Sequence, residues 1–365
     1  MQDIGTAAPL AGLAGGVPGA ASDAPAGQSS AADRETRRRR LLGFASCYLF
    51  AVFFCWLIDK DFGDRVVMTV LGQDFIIDRL RVRVLDVAIL ATIVMPTIFA
   101  VELIAVGWQR SSLRSLLDGR SATGRTDLAC FALWQFHLLH IPRLALTFGA
   151  TLATGTWLHV WLHAQTGFSL SLGALPFFAQ YLGFFLIYTF CDYWQHRLDH
   201  SRYFWPIHRY HHGAEEFHIL TSLRVHPATF SQVVIMTLPL AVLDASPSLI
   251  AGVAFGTTIL RLVNHSRIDS DFGWIGRWLL QSPLGHRLHH RRDSAPPACN
   301  LSLFPAWDHL FGTWKEGGSQ AIAIGVGEPY RQGAWVLPDM WRDYREFLVQ
   351  LAALLRWRQV PARDR

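Results

Sequence analysis

Two stretches of this 365-residue chain crowd histidines at helical spacing. The first holds His196 and His200, then His208, His211 and His212; the second holds His265, then His286, His289 and His290. His196 and His200 are four apart. Each triplet, His208/His211/His212 and His286/His289/His290, sits at i, i+3, i+4, positions that stack along one helical face. Three helical faces therefore each offer two or three imidazoles to one place. Neutral imidazole ligates iron, copper, nickel or zinc, whereas magnesium and calcium take carboxylate and carbonyl oxygen. These nine histidines exceed what one tetrahedral zinc uses, so the arithmetic favours two metals. A merely solvated basic face would not need histidine, since lysine or arginine serves better. His137/His140 and His159/His163 share the spacing and are explained by pore lining or an interfacial position. His218, alone in sequence, is read as an ordinary polar residue.

The elements that must position these residues are apolar. The chain is 51% hydrophobic, 13% aromatic and 17% charged, with a positive mean hydropathy. Soluble domains average about a quarter charged residues, so the balance points to a membrane protein. The net charge of +5 and a pI near 9.1 do not indicate nucleic acid, because the arginines flank apolar runs and no nucleic-acid motif accompanies them. The five cysteines form no C-x-x-C pair, which argues against a disulfide framework or zinc finger.

Taken in order, residues 1–36 read as a disordered tail rich in Ala, Gly, Ser and Pro. Arg37–Arg40 precede the apolar run Leu41–Ile58, an uncleaved membrane helix with its N-terminus on the cytoplasmic side. Val84–Trp108, a composite stretch from about Leu128 to Leu162 broken at Pro142, and Phe168–Cys191 complete four crossings. The first histidine stretch then emerges on the cytoplasmic side. Thr229–Val263, interrupted at Asp244–Pro247, reads as a helical hairpin that returns His265 to that side. Residues 37–335 form the membrane-embedded catalytic domain, and 336–365 an amphipathic helix packed on it or lying on the bilayer. The expected fold is all-α: an integral membrane helical bundle of four or more transmembrane helices, with a cytosolic helical cap carrying a histidine-box dimetal site.

Several motifs accompany the histidines: Trp194-Gln-His196, Phe204-Trp205-Pro-Ile-His208-Arg-Tyr-His211-His212, Arg224-Val-His226-Pro227, Asn264-His265, Ser282-Pro283-x-x-His286-x-x-His289-His290 and Trp307-Asp308-His309-Leu310-Phe311-Gly312-Thr313. Over about residues 180–315 they resemble the fatty acid hydroxylase/sterol desaturase superfamily of membrane di-iron enzymes. The resemblance implies metal ligands at His196, His200, His208, His211, His212, His265, His286, His289 and His290, with His226 as candidate tenth. Some members carry a second histidine four after the one matching His265, where this chain has Asp269. Asp269 ligates, or His226 does, or one metal keeps an open position. Asp192, Asp199 and Asn300 are candidate partners that fix imidazole tautomers, and Asp308 ties the C-terminal segment to the box helices.

The activity so implied is hydroxylation of an unactivated C–H bond with O2 as co-substrate, on two Fe ions that zinc can replace in preparations; desaturation is the alternative on the same scaffold. The substrate is lipid-like (fatty acyl, sterol, carotenoid or another apolar molecule) and enters from the membrane lipids, with Phe177, Phe178, Tyr181, Phe184 and Phe185 as candidate lining. Two electrons come from an external ferredoxin or cytochrome-type donor, because the chain has neither a cysteine cluster nor a dinucleotide loop. A zinc hydrolase would need an H-E-x-x-H motif or another carboxylate base in a box, and none is present. A b-type haem leaves the H-x-x-H-H doublets unexplained. A metal transporter, the non-enzyme alternative, would place histidines mid-membrane rather than past the span ends.

Overall fold

The computed structural model describes residues 31–61, 65–70, 73–78, 88–135, 150–168, 171–292, 299–317, 322–327 and 335–357, with isolated residues between them. Of the expected tail, residues 1–30 lie outside these, and 31–36 open a helix, α1 (Ala31–Asp61). Residues 358–365 and most of 136–149, with Pro142, His137 and His140, also lie outside. The chain divides into two compact units after Phe54; every histidine of the two stretches belongs to the second.

Helix dominates among the described residues, as expected. Strands β1 (Arg65–Val70) and β2 (Gln73–Asp78) pair antiparallel, Arg65 opposite Asp78 and Val70 opposite Gln73. Val and Ile in this stretch favour extended backbone. Of the run 84–108, residues 88–106 are continuously helical, with a π turn at Leu90–Val94 leading into α2 (Met95–Val106), which ends at Gly107 with φ +75. Then come α3 (Ser112–Asp118), capped by the Ser111 hydroxyl, α4 (Ala122–Gln135) and α5 (Leu152–Thr166). Helix α6 (Phe177–Asp199) carries His196 near its end, with His200 as its C-cap.

Short helices follow. In α7 (Trp205–His212) Pro206 occupies the first turn, where its missing N–H costs nothing. Helices α8 (Phe230–Val242) and α9 (Pro247–Asn264) cover the stretch expected as a hairpin, each packing on α6, with Ser246 capping α9 before Pro247. After α10 (Gly273–Trp278), α11 (Pro283–His289) starts on a Ser282 cap with Pro283 at its first position. At seven residues α11 is too short to hold itself in water, so cap and packing fix it. Helices α12 (Ala306–Leu310) and α13 (Val336–Trp357) complete the chain.

Among the described residues no helix is long and apolar enough to cross a membrane. Helix α8 has 13 residues, against roughly 20 for a bilayer. The 23-residue α6 places Asp192, Arg197 and Asp199 in its last turns.

Two apolar clusters hold the site's helices. Phe184 of α6 packs with Leu240 of α8, Ala245, and Leu249, Ile250 and Val253 of α9. Met95 and Ile98 of α2, Leu116 of α3, Leu262 of α9 and Ile219, Leu220 and Leu223 form the second. Helix α13 lies along α7, where Arg209 pairs with Asp343 at 3.0 Å and with Glu346.

Candidate metal centre

The nine histidines of the two stretches meet in two adjacent groups. His196, His200, His208, His212 and His289 form one; His211, His265, His286 and His290 form the other. Within each group one nitrogen per ring lies within 4.8 Å of all the others. His196, His208 and His211 are half-buried and the rest are buried. The groups abut through stacked rings, His212 on His290 at 4.1 Å.

The box spacing acquires a precise meaning here. From α7, His208 and His212 enter the first group and His211 the second; from α11, His286 and His290 enter the second and His289 the first. At about 100° per residue, i+4 overshoots i by about 40° and i+3 undershoots it by about 60°. The two neighbours therefore diverge by about 100° and reach two centres. Helix α6 adds His196 and His200 to the first group, and the end of α9 adds His265 to the second.

Three tautomers follow from backbone contacts. Nδ1 of His196 donates to the Leu301 carbonyl at 2.6 Å, Nδ1 of His289 to the Cys299 carbonyl at 2.8 Å, and Nδ1 of His265 to the Arg261 carbonyl at 2.7 Å. A carbonyl only accepts, so each neutral ring carries its lone pair on Nε2, facing the group's centre. Nε2 atoms approach one another at 3.2 Å (His196 and His208), 3.1 Å (His208 and His212), 3.2 Å (His211 and His265) and 3.1 Å (His265 and His286). Nitrogens bound at ~2.1 Å to one cation stand about 3.0 Å apart at a right angle and about 3.4 Å apart at a tetrahedral angle. The spacing is that of ligands around a shared ion.

Burial drives the imidazole pKa values down. His196 and His265 fall to about 4, and the other seven lie well below the usual value, with neighbouring rings opposing charge further. All nine are neutral donors at pH 7. Buried nitrogens without a hydrogen-bond partner include Nε2 of His289 and both nitrogens of His200 and of His290. Buried polar atoms are rarely left so, and a cation within each group would satisfy one nitrogen of each ring. The donor set fits a pair of imidazole-loving metals.

His226 is not brought in. Its Nε2 donates to the Met340 carbonyl at 2.8 Å and its Nδ1 accepts from the Ala228 N–H at 3.1 Å, so both nitrogens are engaged in tying α13 to the domain. Asp269 stays at the surface in ion pairs with Arg287 at 2.6 Å and Arg110 at 3.3 Å. Helix α9 ends at Asn264, so position 269 is not one turn above His265 on a common face.

The proposed tautomer partners divide differently from the expectation. Asp199 Oδ2 comes within 3.9 Å of His208 Nδ1, and burial pushes its carboxyl up to about 8. Asp192 instead pairs with Arg261 at 2.6 Å. Asn300 bonds to backbone groups. The partners that do fix tautomers are carbonyls, which no side-chain pattern announces. Two aromatic residues flank the groups: Trp205 lies 5.4 Å from His200 and 5.2 Å from His212, and Phe217 lies 4.9 Å from His290 and 5.1 Å from His265. His218 is in neither group; it is buried against Asp127 at 3.1 Å and Ser115 at 3.0 Å.

Comparison with a family model meets the same region. Residues 181–313 match the fatty acid hydroxylase family model. Alkylglycerol monooxygenase of Xenopus tropicalis is 28% identical over 137 residues, covering 36% of this chain and 29% of that protein. The chain thus spans less than a third of that relative's length. No solved structure gives a significant match.

Proposed function

Proceeding from the fatty acid hydroxylase domain at residues 181–313, we propose that this protein is a membrane-embedded di-iron monooxygenase of lipid-like substrates. The balance is RH + O2 + 2 electrons + 2 protons giving ROH + H2O. The observation that carries it is the gathering of nine imidazoles into groups of five and four. Five nitrogens exceed the tetrahedral shell of structural zinc and suit iron. When bound, two irons supply reductive activation of dioxygen.

This chain's own residues do the rest. His196, His200, His208, His212 and His289 would hold one iron and His211, His265, His286 and His290 the other. The Leu301, Cys299 and Arg261 carbonyls hold three rings in ligating orientation, and Phe217 and Trp205 limit water at the rings they cover. The electrons come from a ferredoxin or cytochrome-type donor on the arginine-bearing cytoplasmic side.

Exposed apolar side chains support the membrane assignment: Trp157, Val160 and Trp161 on α5, and Phe177 and Phe178 at the start of α6. Contiguous apolar surface of this kind marks contact with lipid or partner.

The test is comparative lipid mass spectrometry with and without the protein, supplied with fatty acyl, sterol, carotenoid and alkylglycerol lipids, the last because of the relative's activity. A product gaining one oxygen supports hydroxylation; one losing two hydrogens moves the reading to desaturation. His208→Ala and His289→Ala each should abolish the product. Full activity in both variants would refute the assignment.

A further inference from the structure

Building on the dimetal reading, we propose that the loop Cys299–Ser302 orients the first histidine group, and that Asn300 and Asp308 are positioning residues acting through its carbonyls. The carbonyls on either side of Asn300, those of Cys299 and Leu301, take the Nδ1–H groups of His289 and His196. Those rings come from different helices, α11 and α6, yet belong to the same group. One short loop thus sets two tautomers at one metal position.

Asn300 holds the loop in shape. Its φ is +52, in the left-handed region that Asn enters more readily than most residues. Its own carbonyl accepts from Gln281 Nε2, and its N–H donates to the Thr313 carbonyl at 2.9 Å. Its Nδ2 donates to the carbonyls of Gly285 at 3.1 Å and Lys315 at 2.9 Å, and its Oδ1 accepts from the Lys315 N–H at 2.8 Å. Gly285 is in α11, so this side chain fastens the loop to the helix whose His289 it orients.

Asp308 does the same for the other carbonyl. Its carboxylate accepts the Leu301 N–H at 2.7 Å, the Ser302 N–H at 2.9 Å and the Thr313 hydroxyl at 2.7 Å. Leu301 is held by its N–H while its carbonyl meets His196. The second group does not use this loop: the carbonyl on His265 is that of Arg261, within the end of α9. The carbonyls of the loop therefore act on one metal position of the two.

The test compares the purified full-length protein with Asp308→Asn and Asn300→Ala, each loaded with iron and, separately, with cobalt. Partners of metal-bound histidines typically influence metal affinity 10–100-fold. One metal equivalent should leave to a chelator about 10- to 100-fold faster in each variant, with an altered cobalt electronic spectrum. In Asp308→Asn the other equivalent should leave at the parental rate. Asp308→Asn keeps the side chain's shape and one acceptor, so it folds where a truncation could fail; Thr313→Val gives a milder step in the same direction. Parental release of both equivalents with an unchanged cobalt spectrum would overturn the inference, even at lower thermal stability. A parent protein that binds neither metal would overturn the dimetal reading itself and the inference with it.

Discussion

A histidine's neighbours decide whether it ligates. His289 and His226 are both buried and both donate to a backbone carbonyl. The difference lies in the second nitrogen: that of His289 faces four other imidazoles, while that of His226 accepts the Ala228 N–H. His226→Gln should therefore leave metal content unchanged and lower stability by about 1–3 kcal/mol, the cost of disturbing buried hydrogen bonds. Metal analysis and thermal denaturation check this together. Loss of an equivalent of metal would return His226 to the ligand set. Histidines at i and i+4 enter one group while i+3 enters the other, so a box of three reaches two groups where an isolated H-x-x-x-H would reach one.

Helices bring the rings together, and the segment after α7 needs its own anchor. Asp127 of α4 accepts from Arg224 Nε at 2.8 Å, from His218 Nδ1 at 3.1 Å and from the Thr221 hydroxyl at 2.5 Å, all buried. Burial by itself raises the Asp127 pKa, but Arg224 and the His218 and Thr221 hydrogen bonds together outweigh it, so the value lies below normal. A depressed carboxylate pKa contributes stability above the unfolded value of about 4 and loses it as pH falls through the folded value. Asp127→Asn should cost about 3–5 kcal/mol at neutral pH by leaving a buried guanidinium uncompensated. That difference between parent and variant should shrink below about pH 4. Denaturant melts of both proteins across pH measure it, and a pH-independent gap would show that the ion pair is not what holds α4 to this segment.

At the scale of the whole molecule, exposed aromatic and aliphatic side chains stand where a soluble protein would place charge. Phe177 is 73% and Phe178 77% exposed at one end of α6, while its other end feeds the first histidine group. Lipid contact at the first end would leave the metal centre at the bilayer's edge, within reach of both an apolar substrate and a water-borne electron donor. The protein should sediment with membranes and resist extraction by high salt and alkaline carbonate, yielding to detergent. Release by salt alone would rule out embedding.

The histidine spacing by itself specified helical faces and imidazoles gathered from several of them, because a side chain's direction along a helix follows from 3.6 residues per turn. Hydropathy placed the helices α8 and α9 and the break between them near 243–246. It did not foresee the β1–β2 hairpin or the π turn at Leu90–Val94, since apolar composition records burial and not the backbone path taken to reach it. Only the tertiary structure decided which rings share a centre, that His226 and Asp269 stand outside both, and that the carbonyls of Cys299 and Leu301 hold two of the nine histidines. Every residue carries a carbonyl, so its identity in sequence says nothing of what it will face. That depends on a loop whose course is set by Asn300 and Asp308 contacts closed only when distant segments have packed.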